Sequence, residues 1–268
     1  MFVVAIAELA PSGELEEEEI SALARELGVG AYDVRLRLAA GLPAVVFTSA
    51  EEGAAHAVLE AIRRRGHGAL ACDLRDVVAG PSMVPVRHFA LDGESIRADR
   101  ASPEVLRYAN VLALVHVANR ELHYVIGHER VFVGPREGVV RRETLTAEHD
   151  APHSLYIFPA DAGTPWLLRE REAHYGALGA AAGPVQHLNF LRTIGVLRAR
   201  APQACFDDRL AGHQRSPEHI TRSFGRPGGG EGPWADHGAD LAAHLLARWF
   251  ATKTLSSGVG GPYRSAAD

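Results

Sequence analysis

The period of the apolar positions changes several times along the chain, and each change marks an element. Residues 2–9 form an almost unbroken β-prone apolar run, which predicts a buried strand. Pro11, Ser12 and Gly13 turn the chain. Ile20, Leu23, Ala24 and Leu27 then recur at i, i+3, i+4 and i+7, predicting a helix from about residue 15 to 27 with Glu16 to Glu19 in its first turns, where negative charge suits the helix dipole. Gly28 and Gly30 stop it. Residues 32–40 read as a second helix ended by Gly41 and Pro43, and residues 44–48 as a strand. Ser49 with Glu52 three positions on has the form of a capping box. Ala55, Val58, Leu59 and Ile62 form the stripe of a third helix, with Arg63, Arg64 and Arg65 in its last turn and Gly66 as its stop. Residues 69–74 are a third strand.

After a linker at 78–85, marked by Gly80, Pro81 and Pro85, the pattern becomes β-rich. Residues 87–98 alternate around Asp92-Gly93, the signal of a hairpin. Residues 105–118 and 122–133 read as strands, and the polar stretch 135–152 as a long loop. Strands at 154–158 and 165–170 flank a turn at 159–163. Residues 185–200 predict a helix with Leu188, Leu191, Ile194 and Leu197 facing inward, ended by Pro202. From 211 to 234 the composition is that of a linker and includes RPGGGEGP. Residues 239–251 then form one amphipathic helix, with Leu241, Leu245 and Trp249 at i, i+4 and i+8 and Leu246 and Phe250 widening the stripe. The expected fold class is therefore α+β: a small βααβαβ domain over 1–79, a mainly antiparallel β domain with a closing helix over 84–210, and a flexible Gly- and Pro-rich tail over 211–268 that carries the short helix. The first eighty residues are expected to fold alone.

Two segments, ISALARELGVGAYDVRLRLAAGLPAVVF and EEGAAHAVLEAIRRRGHGALACD, carry a resemblance to the fold shared by the carboxy-terminal domain of the ribosomal stalk protein and the bacterial N-end-rule protease adaptor. It covers about the first seventy-five residues. The resemblance implies a small docking module. The adaptor's Asn and acidic cluster after its first strand is replaced here by Glu8, Leu9, Ala10 and Pro11, so binding of a free amino terminus is not implied. In the second half, HFALDGESIRA, EVLRYANVLALVHVAN, HSLYIFP and the helix VQHLNFLRTIGVLRAR are similar in pattern to a pleckstrin-homology-like barrel, a scaffold that implies binding.

Charge and chemistry narrow the classes. The net charge is −5, and residues 1–80 hold thirteen Asp and Glu against seven Arg, so no basic excess is available for phosphates and no nucleic-acid partner is expected. The longest strongly apolar run, 111–117, is too short for a membrane span. Two distant cysteines, Cys72 and Cys205, and an amino end without a positive leader fit a reducing, cytoplasmic setting. The histidine sets His116, His123, His128 and His149, Asp150, His153 lack HExxH or any other ligand spacing; if a metal were bound, the second set would be the expected ligands. Cys205 with Asp207, Asp208, His187 and His213 mimics a Cys-His-acid arrangement but has no sequence-fixed geometry. The Gly-rich stretch at 225–232 lacks GK[ST], Arg136, Arg141 and Arg142 are interleaved with Glu137, Glu143 and Glu148, and Trp166 reads as a core anchor. No catalytic residue, cofactor or metal is therefore expected. The reading is a non-enzymatic interaction module, an adaptor or scaffold component of a bacterial assembly with protein partners or a second copy of itself, and Leu241, Leu245, Trp249 and Phe250 as the candidate partner-binding residues. Two fates remain open for that stripe, packing on the chain itself or docking elsewhere. The alternative function is an enzyme with its site near 135–153 and Cys205.

Overall fold

The apolar run at the amino end becomes the central strand of a sheet that is apolar on both faces. The computed structural model describes residues 1–10, 16–39, 41–98, 103–118, 121–134, 138–150, 152–212 and 238–256, of which 121–134 and 138–150 are described by their backbone. Strands β1 (Phe2–Glu8), β2 (Ala44–Ser49) and β3 (Gly68–Asp73) form an antiparallel sheet in the order β2-β1-β3. Helices α1 (Glu17–Leu27), α2 (Ala31–Leu38) and α3 (Glu52–Arg64) are tied to one face: Val4 and Ile6 share a core with Ile20, Leu23, Leu27, Val34, Leu59 and Ile62. The alternate residues Val3, Ala5 and Ala7 lie in a different core, with Val45, Leu70 and Cys72, as the two-residue period of a strand requires. Gly28 ends α1 in the left-handed region at φ 65, and its N–H reaches the carbonyls of Ala24 and Arg25. Ser49 is not a helix cap. It is still the last residue of β2, so its Oγ reaches only the Glu51 N–H at 2.9 Å, and α3 starts from Glu51 without a side-chain cap. Within the acidic run, Glu19 accepts from Arg65 Nε at 2.6 Å and lies 2.9 Å from His67 Nε2, which holds its carboxyl down at about 2.

The second half builds β4 (Val84–Pro85), β5 (Phe89–Leu91), β6 (Ser95–Ala98), β7 (Glu104–Arg107), β8 (Val111–Ala118), β9 (Glu121–Gly134), β10 (Gly138–Asp150), β11 (His153–Pro159), β12 (Trp166–Arg169), helix α4 (Gln186–Arg200), β13 (Cys205–Asp207) and helix α5 (Gly238–Ser256). A five-stranded sheet runs β13-β8-β11-β12-β4, antiparallel at its centre and parallel at both edges. The meander β5-β6-β7 and α4 cover one face: Leu114, Leu155, Ile157, Trp166 and Leu168 pack with Phe89, Ile96, Leu106, Phe190, Ile194 and Leu197. Trp166 is 4% exposed, as a core anchor should be. Two expectations change. Leu188 and Leu191 are exposed, while Phe190, Ile194 and Leu197 face inward. A strict i+3 series drifts about 60° per step, so after nine residues Leu188 stands on the far side of the helix from Leu197. The stretch read as a loop is mostly β10, paired with β9 over its whole length. Its polar composition misled because a two-stranded ribbon needs cross-strand hydrogen bonds but no buried face.

Helix α5 is the middle layer of the molecule. Leu241, Ala242, Ala243, Leu245 and Leu246 are fully buried and share one core with Val3, Ala5, Ala7, Leu70 and Cys72 of the first sheet and with Ala113, Val115, Val117, Tyr156, Phe158 and Leu167 of the second. A helix covered by sheets on two sides must be apolar nearly all round, and its alanines let the sheets approach. Leu241 and Leu245, read as partner-binding, are thus taken up by the chain's own sheets, with Trp249 and Phe250 partly buried at the rim of the same core. Trp249 lies so close to Gly68 that a Cβ there would stand 2.5 Å from its Cζ2. Polar ties hold the helix ends: the Asp240 carboxylate accepts from the Gly80 N–H at 2.8 Å and the Tyr156 hydroxyl at 2.9 Å, and Arg248 pairs with Asp76 at 3.0 Å. The helix is longer than the 239–251 expected. Of the linker and tail around it, residues 213–237 and 257–268 lie outside the described residues. No helix among the described residues is long and apolar enough to cross a membrane.

This arrangement predicts that Leu245→Ala costs about 2–5 kcal/mol, read by denaturant unfolding. A chain of residues 1–80 alone exposes Val3, Ala5, Ala7, Leu70 and Cys72. It should melt without cooperativity or aggregate in calorimetry; a sharp reversible melt would mean that the first sheet does not need α5.

His244 supplies a pH test. It is 5% exposed; its Nε2 accepts from the Val78 N–H at 3.2 Å, so its proton sits on Nδ1, 2.8 Å from the Asp240 carbonyl. Burial pushes its pKa down to about 4. Because the unfolded ring takes up a proton near 6.5 and the folded ring only near 4, the stability it contributes is present above pH 6.5 and is lost as pH falls toward 4, by up to about 3 kcal/mol. Urea melts at pH 7 and pH 4.5 should show a smaller loss for His244→Gln than for the natural chain; equal losses would refute the assignment.

Candidate functional site: a histidine and carboxylate cluster beside an open cleft

Strand parity decides which side chains meet. On β8, Ala113, Val115 and Val117 face α5, whereas Leu114 and His116 alternate to the α4 side. His116 is 7% exposed. The β8–β11 register sets His153 opposite Ala118, and the β11–β12 register sets Ser154 opposite Arg169, so Glu170 follows β12 at the level of His153. Two bonds lock that pair: the Glu170 N–H donates to the His153 carbonyl at 2.8 Å, and the His153 N–H donates to Glu170 Oε2 at 3.1 Å. The Tyr175 hydroxyl donates to the Glu170 carbonyl at 2.8 Å. His187, the second residue of α4, brings its Nδ1 to 3.3 Å from Glu170 Oε1. His116 Nε2 lies 2.8 Å from His153 Nδ1. Phe190 backs the pair, its ring centre 5.4 Å from that of His116 and 6.0 Å from that of His153.

Three strands and one helix thus gather three imidazoles and one carboxylate. Burial, and then the neighbouring His153, push the His116 pKa down to about 4, and burial lowers that of His153 as well. Near neutral pH both rings are therefore neutral; their 2.8 Å contact uses the unprotonated nitrogen of one as acceptor, and the ring that donates keeps its other nitrogen unprotonated and able to bind a cation. His116 also lines a cleft of about 640 Å³ between α4 and the segment after β13, with Ile194, Arg198, Phe206, Asp208 and Arg209. The Arg198 guanidinium sits 4.1 Å above the Phe206 ring, and Arg209 is held by Asp207 at 2.8 Å. A second opening of about 480 Å³ lies at the meander, where His88 and His174 stack with ring centres 4.1 Å apart beside Arg97.

The residues singled out from sequence are mostly not brought together. His213 lies outside the described residues, as do the side chains of His123, His128, His149 and Asp150. Cys205 pairs with Ala113 and belongs to the α5 face, while His187 stands on the α4 face, so the sheet separates the thiol from that imidazole. Burial raises the Cys205 thiol, the opposite of an activated nucleophile. Glu170 was missed, although a hairpin centred on the predicted turn at 159–163 carries it to the level of His153. His187 was singled out only beside Cys205, and nothing in the sequence links it to His153 and Glu170, because only the packing of α4 on the sheet brings it there.

Comparison with known protein families, with curated proteins and with solved structures finds no match for this chain. The site therefore stands on its geometry. His116 should titrate near pH 4 when followed by the ring resonances in NMR; a midpoint near 6.5 would mean that the ring is not buried against His153 and Phe190 as described.

Proposed function

We propose that this chain is a cytoplasmic protein-interaction component, an adaptor or scaffold subunit, and that the β9–β10 ribbon is its docking element. One observation carries the reading. The β8–β11 pairing that ends at Ala118 and His153 resumes at Glu121 and Asp150 and continues as a ribbon with strands of 14 and 13 residues, far longer than the 8-residue β8 of the body. At about 3.4 Å per residue the ribbon is roughly 40 Å long. It forms a two-stranded sheet by itself, and among the described residues neither outer edge has a partner strand. Such a ribbon is marginal in water unless something pairs with its edges or covers a face. Its register also sets Tyr124 opposite Ala147, Ile126 opposite Leu145 and Phe132 opposite Val139, positions that share one face by the two-residue period. Edge pairing with a strand of a partner uses backbone hydrogen bonds for affinity and alternate side chains for specificity.

The alternative of an enzyme centred on Cys205 loses support from the separation of Cys205 and His187. The core position of Leu241 and Leu245 moves the expected docking surface away from the terminal helix.

Replacing residues 122–149 by a short turn tests the proposal. Expected is an unchanged melting temperature of the body, together with loss of self-association in sedimentation or loss of the proteins that co-purify with the full chain from its native cells. Identical association states and identical co-purifying proteins with and without the ribbon would overturn it.

A further inference from the structure

We propose that His153, Glu170 and His187 bind one divalent transition-metal ion, with Zn²⁺ the best fit. Each residue offers one ligand atom, and the three atoms lie within 4.8 Å of one another. In a tetrahedral zinc site with bonds of about 2.0–2.1 Å, neighbouring ligand atoms stand roughly 3.3 Å apart. Closing the set therefore asks for shifts of an ångström or so, within the reach of partly buried side chains. The Glu170 Oε1 to His187 Nδ1 separation is already 3.3 Å.

The backbone places all three before any ion arrives. The paired bonds between His153 and Glu170 hold two of the ligands across the β11–β12 ladder, and the first turn of α4 holds the third. Two imidazoles and one carboxylate are a borderline nitrogen and oxygen set, which suits zinc and its first-row neighbours and is a poor match for calcium or magnesium. His116 completes the arrangement from behind. When His153 Nδ1 donates to Nε2 of His116, the Nε2 of His153 is left unprotonated for a ligand bond, the orienting role that outer partners of metal-bound histidines play. Three protein ligands leave at least one coordination position for water or for a group from outside. The rival explanation of the same geometry is a plain Glu170–His187 ion pair, which takes up no metal.

The full chain, stripped with chelator and titrated with Zn²⁺ against a chromophoric chelator, separates the two. One ion per chain is expected, with a rise in melting temperature on loading. Glu170→Gln and His187→Ala should each abolish tight uptake, and His116→Gln should weaken it about tenfold. His56→Ala, an exposed histidine on α3, should leave uptake unchanged. X-ray absorption of the zinc-loaded natural chain should count two imidazoles with oxygen completing the shell, a readout that does not depend on the variants folding. No stoichiometric uptake, uptake that persists in folded Glu170→Gln and His187→Ala, or a shell of three or more imidazoles or of sulfur would overturn the proposal.

Discussion

The burial of α5 between two sheets is the constraint on which the rest of the molecule depends. Each sheet has two apolar faces, and α1, α2 and α3 or the meander and α4 cover only one of them. A single helix covers both of the others. Because burial of apolar surface is the main driving force of folding, removing this one layer would expose Val3, Leu70, Val115 and Phe158 together. The two halves of the chain are thereby parts of one core, however distinct their topologies.

Polar groups fix the register of that layer. Asp240 is 6% exposed, and a buried carboxylate is tolerated only when it is hydrogen-bonded. It takes the Gly80 N–H from the linker and the Tyr156 hydroxyl from the second sheet, so one side chain joins three parts of the fold. Burial beside Asp240 keeps the Tyr156 hydroxyl protonated, its pKa raised well above the usual value. His244, one turn along the helix, takes the Val78 N–H in the same way. The segment read as a linker is therefore tied to the central helix through the N–H groups of Val78 and Gly80.

The five-stranded sheet separates packing from chemistry. Its α5 face carries Ala113, Val115, Val117, Tyr156 and Phe158 and serves the core. Its α4 face carries His116, and at the end of the same strand pair stand His153 and Glu170. The ribbon leaves the body from this same end, since His153 follows β10 by three residues. The cluster therefore lies at the foot of the ribbon, and any ion held there joins the ribbon's root to β12 and α4.

The sequence by itself determined the local elements. The i, i+3, i+4 stripe of α1, the Gly28 stop, the Asp92-Gly93 hairpin and the paired strands 154–158 and 165–170 all depend on near neighbours, and each appears close to where its pattern puts it. The α+β class follows from their order. Of the ribbon, the strand over 122–133 was legible but its partner β10 was not, because its polar composition reads as a loop, and the i+3 leucines of α4 misled because that spacing drifts around a helix. Tertiary structure alone decided the rest. An amphipathic stripe states that α5 needs a surface, not which surface, and only the meeting of two sheets shows that it needs two. His116, His153, Glu170 and His187 are dispersed over seventy-two positions and share no spacing that a helix or strand would bring together; strand register and the seating of α4 assemble them, and those are long-range consequences of how apolar faces are covered.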